Sequence, residues 1–450
     1  MQNSTAKIGM VSLGCPKNQC DAELMLDKIV KAGFGLVSEP GLADVVIINT
    51  CGFIQSAKEE AIAEIFEAVN RKLDGINKKI IITGCLSQRY SRQMSEEFPE
   101  IDAILGIGKN DNIVEVINSV LLDKRIYAFT DAYAHNMEGG RLLSTLPHYA
   151  YLRIADGCDN RCSYCAIPLI RGKFRSRKAE NIISEAEELA GRGVKELILI
   201  AQDTTNYGID LYGKYALAEL LDKLCGIDGV KWIRLLYCYP DKITDELIEV
   251  IKRQEKIVKY IEMPIQHCNE DILRAMNRKG GERELWDLIS RLRGEIRGLV
   301  IRTTVIAGFP GESEEQFTEL AEFLNNVRFE RLGCFAYSEE EDTEAAGFSQ
   351  VDESERLHRA EIITEQQEIR MGEFYSEQVG KTFEVVVEGY DKYFEMYFGR
   401  SYMYAPEIDG MIYFKGRRAV GDDVSLSISD FVNVKITEVI DNNLIGETVN

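Results

Sequence analysis

Three thiols, Cys158, Cys162 and Cys165, stand at C-x3-C-x2-C spacing within eight residues. Thiolates are soft ligands that favour iron–sulfur clusters and zinc. A structural zinc, or a cluster ligated only by protein, takes four such ligands. Here the local set stops at three, which leaves one metal corner for another ligand. The loop follows a mostly apolar run of strand type, residues 149–155, and precedes a basic run, residues 171–177. The basic run reads equally as a solvated surface or as a grip on an anionic group near the metal, since Arg suits bidentate recognition.

Cys15, Cys51 and Cys85 form a second set. Each follows a short run of strand character, at 7–12, 44–49 and 79–83. Ligand sites in open α/β sheets lie beyond the carboxyl ends of strands. Three thiols at three such ends can meet at one point, and the glycines beside them, Gly14, Gly52 and Gly84, permit close backbone approach. A single strand-end cysteine is more often plain core. Three sharing the position point to a shared metal site. Cys20, five residues beyond Cys15, reads as core. Cys225, Cys238, Cys268 and Cys334 have no spacing partner and read as structural.

The elements that must position these residues fall into three domains. Residues 1–135 alternate strands with helices (21–32, 54–73) and predict a small N-terminal doubly wound α/β domain. Residues 136–148 carry linker signals. Residues 145–372 repeat strand then helix. Strands are expected at 151–155, 196–201, 232–239, 260–266, 300–307 and 331–337. Helices are expected at 179–191, 216–224, 245–253, 282–293 and 314–325. The pattern predicts a partial (βα)6 barrel whose right-handed crossovers put every strand's carboxyl end on one rim. Polar candidates at that rim are Gln202 with Asp203, Gln266 with His267, and residues 308–312 (GFPGE). His267 weighs evenly as a site residue or a satisfied core histidine, and GFPGE reads also as a simple turn. A charged helix at 352–374 closes the barrel or bridges onward. Residues 375–448 change to period-2 strands at 382–387, 395–398, 411–414, 423–428 and 434–439, a small antiparallel β-barrel of a recognition type.

The bulk properties agree with a cytoplasmic multidomain α/β protein. The chain has 450 residues, 45% of them hydrophobic, enough for two or three cored domains. Its formal net charge of -21 argues against broad nucleic-acid binding, though it leaves room for a local RNA contact. Residues 373–450 hold 14 acidic and 7 basic side chains, which suits a basic protein surface. Eleven cysteines without a signal peptide or membrane-length apolar run indicate a reducing compartment and no membrane.

The spacing of Cys158, Cys162 and Cys165 resembles that of the radical S-adenosylmethionine (SAM) superfamily. With Cys15, Cys51 and Cys85 ahead and a five-strand barrel behind, nearly the whole chain is similar to its methylthiotransferases, whose last module is called a TRAM domain. One branch of that family modifies an adenosine in tRNA. Another attaches a methylthio group to the β-carbon of an aspartate in small-subunit ribosomal protein twelve. Residues 14–18 (GCPKN), 51–54 (CGFI), 264–267 (PIQH) and 405–410 (APEIDG) resemble the ribosomal-protein branch, while Cys20 replaces its usual aliphatic residue. The resemblance implies two [4Fe-4S] clusters and SAM. Cys158, Cys162 and Cys165 would hold the cluster whose open iron binds SAM and generates a 5′-deoxyadenosyl radical. Cys15, Cys51 and Cys85 would hold a second cluster that delivers the methylthio group, with both open corners facing a common cavity. No catalytic residue is implied beyond these ligands. Tyr164, Gln202, Gln266 and Arg302 are candidate cofactor contacts. The implied partners are a basic ribosomal protein as substrate and a reductant protein, with direct RNA contact not required. The tRNA branch, a non-catalytic iron–sulfur sensor or scaffold, and a zinc-binding interaction protein are the alternatives.

Overall fold

The computed structural model describes residues 6–416 and 426–449. Two compact units are present. One gathers residues 6–144, Arg153–Arg177 and Ser338–Ala346. The other gathers Thr145–Leu152, Lys178–Tyr337 and the described residues from Gly347 onward.

The first unit is built on six strands, β1 (Lys7–Ser12), β2 (Gly35–Val37), β3 (Val45–Thr50), β4 (Lys79–Gly84), β5 (Ala103–Leu105) and β6 (Ile126–Ala128), in the order β2-β1-β3-β4-β5-β6. Every pairing is parallel. β3 is buried along its whole length, as a central parallel strand covered on both faces must be. Its side chains alternate between two cores. Val46 and Ile48 pack with Ile80, Ile82, Ile65 and Ala68 on one face. Val45 and Ile47 pack with Ile81, Met25, Ile29 and Ile117 on the other. The doubly wound domain expected from the sequence is therefore present. Its first helix is longer than expected, Pro16–Lys31, with Pro16 at the first position where its missing N–H costs nothing. The three-residue strands β2, β5 and β6 carry too little periodicity to be read in advance.

The chain next runs through β7 (Tyr149–Arg153), then two short antiparallel strands of the first unit, β8 (Ala155–Asp156) and β9 (Arg175–Ser176). β10 (Glu196–Ile200), β11 (Trp232–Leu235), β12 (Ile257–Glu262), β13 (Val300–Ala307) and β14 (Arg331–Ala336) follow. The sheet order is β14-β13-β12-β11-β10-β7, with β10 to β14 parallel, as the repeat of strand and helix predicts. β11 and β12 each end four residues earlier than expected. β11 stops at Leu235, and Tyr237 beyond it takes a positive φ of 61°. β12 stops at Glu262, and Gln266, at φ 69°, keeps only an isolated bridge to Val305.

The helix Glu353–Ser376 is capped by the Asp352 side chain and lies against β13 and β14. Five strands then close a barrel: β15 (Thr382–Asp391), β16 (Met396–Arg400), β17 (Ile412–Lys415), β18 (Phe431–Ile440) and β19 (Asn443–Val449), in the order β15-β16-β17-β19-β18. The β17–β19 pair is parallel, not antiparallel as expected. An odd number of strands cannot alternate in direction all the way round a closed ring. Of the strand expected at 423–428, residues 423–425 lie outside the described residues and 426–428 form none. The fifth strand is instead β19, which pairs with β18.

Residues 401–410 plug the amino-terminal face of the six-stranded sheet. Arg234 on β11 donates to the Tyr402 carbonyl at 2.8 Å and Arg331 on β14 to the Met403 carbonyl at 3.0 Å. Tyr149 donates to Glu407 at 2.8 Å. Asp409 accepts from Arg302, Tyr260 and the Ala405 N–H, each at 2.8 Å. Glu196 pairs with Arg234 at 2.7 Å and Arg400 at 2.9 Å.

Candidate functional site

β1, β3 and β4 are neighbours in the first sheet, and each leads into a thiol. Cys15 caps the helix Pro16–Lys31, Cys51 follows β3, and Cys85 opens the helix Cys85–Arg89 after β4. The strand order reverses between β1 and β3, the place where doubly wound sheets bind ligands. Gly14 has φ 89°, and a Cβ there would stand 2.8 Å from the Cys51 sulfur. Gly84 has φ 104°, and its Cβ would stand 2.3 Å from the Thr50 carbonyl oxygen. Neither position accepts a side chain. The buried Asn18 amide ties the strand ends together by donating to the carbonyls of Leu13 at 2.7 Å and Asn49 at 3.2 Å.

Burial pushes the Cys85 thiol up to about 12. Arg171 works against that, and Cys15 and Cys51 add to it. Burial and then Cys15 raise Cys51 as well. The three thiols thus feel one another's charge. Among the described residues, no three or more His, Cys, Asp or Glu gather tightly enough for a single metal ion. A cubane, in which each thiolate meets its own iron, asks for neighbouring thiols rather than convergence on one point. Binding would displace the protons that burial holds on them.

Behind this triad lies a buried ionic network. Asp21 pairs with His135 Nε2 at 3.0 Å, with Arg171 at 2.8 Å and with Arg153. Asp156 pairs with His135 Nδ1 at 2.9 Å, with Arg171 at 3.3 Å and with Arg175 at 3.5 Å. Burial alone would raise both carboxyl groups, but the facing cations hold them well below the usual range. Burial alone would lower His135, but Asp21 and Asp156 outweigh it and hold the ring's pKa above its ordinary value. A ring between two carboxylates donates from both nitrogens when protonated.

This network overturns the solvated-surface reading of the basic run 171–177. Arg171, Arg175 and Arg177 are buried rather than solvated. Their partners belong to the protein. Arg175 donates to the Tyr133 carbonyl, and Arg177 donates to Glu138 at 2.9 Å and the Arg153 carbonyl at 2.7 Å.

The second triad lies on the loop after β8, in the same unit. Cys158, Cys162 and Cys165 are all half-buried, open enough for an outside ligand to reach. The Cys165 N–H donates to the Cys162 carbonyl at 3.0 Å, and the Cys158 N–H to the Gly172 carbonyl at 3.1 Å. Ala166 and Ile170, just after the loop, form a buried cluster with Cys85. The structure therefore brings the two triads' segments into contact. The stretch Ser338–Ala346 touches both. Ala345 N–H donates to the Ser163 carbonyl at 2.8 Å, and Glu340 pairs with Lys58 at 3.0 Å and Arg89 at 2.6 Å. Arg89 also donates to the Gly52 carbonyl at 3.3 Å, next to Cys51. Sequence reasoning gave Asn18, Asp21, His135, Arg171 and Glu340 no role of their own. Their partners are remote in the chain, and only the basic run and the GCPKN segment hinted at two of them.

Of the candidate cofactor contacts, Tyr164 is half-buried in this unit's cysteine loop. The other three belong to the second unit. Gln202 follows β10 and is half-buried, and the adjacent Asp203 is paired with Lys242 at 2.6 Å. Gln266 is held in the left-handed region by its backbone bonds to Thr304 and Ile306, a costly conformation that concentrates at functional positions. Arg302 is the third residue of β13, and its Nη1 is committed to Asp409. His267 is completely buried. Its Nδ1 accepts from the Asn269 N–H at 2.9 Å and its Nε2 faces Glu312 at 3.4 Å, so it is a structural histidine. Glu312 folds back onto the Gly308 N–H at 3.0 Å and pairs with Arg359 at 2.8 Å, so GFPGE is a turn locked to the helix Glu353–Ser376. Cys20, Cys225, Cys238 and Cys268 are buried and Cys334 half-buried.

Comparison with known proteins agrees with this architecture. The family described as the radical SAM superfamily matches residues 152–324, the TRAM domain matches residues 379–449, and "Uncharacterized protein family UPF0004" matches residues 7–106. The ribosomal protein uS12 methylthiotransferase RimO of Clostridium botulinum (strain Hall) is 47% identical over 447 residues, covering 99% of this chain and 98% of that protein. RimO of Desulforamulus reducens is 49% identical, covering 98% and 99%. Among solved structures, the radical SAM methyltransferase TsrM from Kitasatospora setae, with tryptophan substrate and a SAM analogue bound, covers 74% of each chain. Its TM-score is 0.56 at 12% identity, a likeness of fold alone. With identity near one half over nearly the full length of both chains, the chain belongs to the RimO family of ribosomal protein uS12 methylthiotransferases.

Proposed function

We infer that the chain attaches a methylthio group to the β-carbon of an aspartate in ribosomal protein uS12 by radical SAM chemistry. One observation carries this reading. Two three-cysteine sets lie in one compact unit, with Cys85 of one packed against Ala166 and Ile170 beside the other, in a chain with full-length RimO relatives. Cys158, Cys162 and Cys165 are proposed to hold a [4Fe-4S] cluster with SAM at its open corner. Cys15, Cys51 and Cys85 are proposed to hold a second cluster that would supply the methylthio group. When bound, the clusters supply one-electron cleavage of SAM and the sulfur to be transferred.

The chain's own residues hold and shield that chemistry. Asn18 and Gly14 keep the strand ends of the first triad close. The bonds of Cys158 N–H and Ser163 O fix the second loop. Tyr164, Gln202 and Gln266 are proposed SAM contacts. Arg302, held by Asp409 in the plug at the sheet's amino-terminal face, is instead a structural residue. A basic ribosomal protein suits the net acidic last module, a reductant protein supplies the electron, and the reaction is placed in the cytoplasm. Among the described residues, no helix is long and apolar enough to cross a membrane.

The test is a mass comparison in a strain lacking the gene and in the same strain carrying it. Restoration of a methylthio mass on uS12, with tRNA adenosine unaffected, is expected. Restoration on tRNA adenosine with uS12 unmodified would assign the chain to tRNA. Absence of 5′-deoxyadenosine from reductant plus SAM would leave only a sensor or scaffold.

A further inference from the structure

Arg171 is the last residue of the short helix Ile167–Arg171 that follows the second cysteine loop. Its side chain turns away from that loop and is 1% exposed. Nη2 reaches the Cys85 sulfur at 3.6 Å and also donates to Asp21 at 2.8 Å. Nη1 faces both oxygens of Asp156, at 3.3 and 3.4 Å. The Asn18 amide oxygen, 3.5 Å away, completes the ring of acceptors. Asp21 and Asp156 are themselves fixed by His135 and Arg153, so the guanidinium has no freedom to swing away from the sulfur. The next residue, Gly172, accepts the Cys158 N–H through its carbonyl. Two successive residues thus grip one ligand of each triad, Arg171 through its side chain and Gly172 through its backbone.

We propose that Arg171 is a positioning residue that donates an N–H···S hydrogen bond to the Cys85 thiolate of the second cluster and raises that cluster's reduction potential. The inference rests on the reading that Cys15, Cys51 and Cys85 hold a cluster. Hydrogen bonds to cluster sulfurs, and the charge around them, are levers by which proteins set cluster potentials. A fixed cation favours the reduced cluster because reduction adds negative charge. Burial strengthens the effect, since little water intervenes to screen it. Arginine suits the place. Its planar fork reaches two carboxylates and a sulfur together, which a lysine ammonium on the same backbone does not.

The test uses the full chain with Cys158, Cys162 and Cys165 changed to Ala, reconstituted anaerobically so that one cluster type remains. An iron content of about four per chain is the starting condition. A parent with no iron would sink the second-cluster reading itself. In this background Arg171→Lys keeps a cation between Asp21 and Asp156. At unchanged iron content, a redox titration followed by electron paramagnetic resonance should show its midpoint potential shifted downward. An unchanged potential would overturn the proposal. A second measurement needs no substitution at 171. With nitrogen-15 arginine incorporated, the reduced cluster should show a nitrogen hyperfine coupling. Its absence would equally overturn the assignment.

Discussion

Gly14 and His135 show how single residues condition the site without touching substrate. The Cβ of an alanine at 14 would need both a disfavoured φ of 89° and a place 2.8 Å from the Cys51 sulfur. Gly14→Ala should therefore displace Cys51 and lower the reconstituted iron content from about eight to about four per chain, measured by iron assay. His135 makes a different prediction. Its folded pKa is raised, because Asp21 and Asp156 outweigh burial. A raised pKa contributes stability that is complete below the unfolded value of about 6.5 and is lost as pH climbs through the folded value. The unfolding midpoint of the metal-free protein should thus fall relative to that of His135→Asn over the pH window that opens at about 6.5. A difference between the two proteins that stays constant across that window would refute the coupling. The cysteines were legible in the sequence because their chemistry and their strand-end positions are local. Asp21, His135 and Arg171 were not, because a buried ion pair between residues 21 and 171 leaves no periodic trace. The basic run read equally as surface or as an anion grip for the same reason, since charge alone does not reveal whether a carboxylate waits inside.

At the scale of elements, strands of five or more residues and amphipathic helices could be read closely, and helices such as Ala179–Gly191 and Asp245–Arg253 fall where their period places them. The misses follow from length and closure. Three-residue strands carry no pattern, and the strand order of the small barrel depends on the ring being shut by β19. The plug at residues 401–410 was visible only as the motif APEIDG. Its function is architectural. Six strands do not close a barrel as eight do, and the buried charges at the amino-terminal face need partners. Asp409 meets Arg302, Tyr260 and the Ala405 N–H and lies 3.6 Å from Arg331. Removing one member of a buried ionic set leaves the others desolvated and unpaired, at a cost of about 3–5 kcal/mol. Asp409→Ala should lower stability by that order in denaturant unfolding, while iron at the cysteine triads is retained. A variant as stable as the parent would show that the plug is dispensable.

For the whole molecule, the alternation of strand and helix assigns residues 153–177 to the barrel domain, yet their contacts group them with residues 6–144. The physical reason is the ionic network. Arg153, Asp156, Arg171 and Arg175 all find their partners among themselves or in Asp21, His135 and Tyr133. Both triads thereby share one compact unit, which fits the proposed division of labour between two clusters. That division is best tested at Cys51. Cys85 is the poorer choice, because it packs against Ala166 and Ile170 and holds Arg171, so its loss would disturb the other loop. Cys51 lies beside Gly14. Cys51→Ala should abolish methylthio transfer to uS12 while 5′-deoxyadenosine still forms from SAM and reductant. Cys162→Ala should abolish both. Loss of cleavage in Cys51→Ala, with the cluster of Cys158, Cys162 and Cys165 intact by spectroscopy, would mean that the two triads act as one centre rather than as a radical source and a sulfur donor.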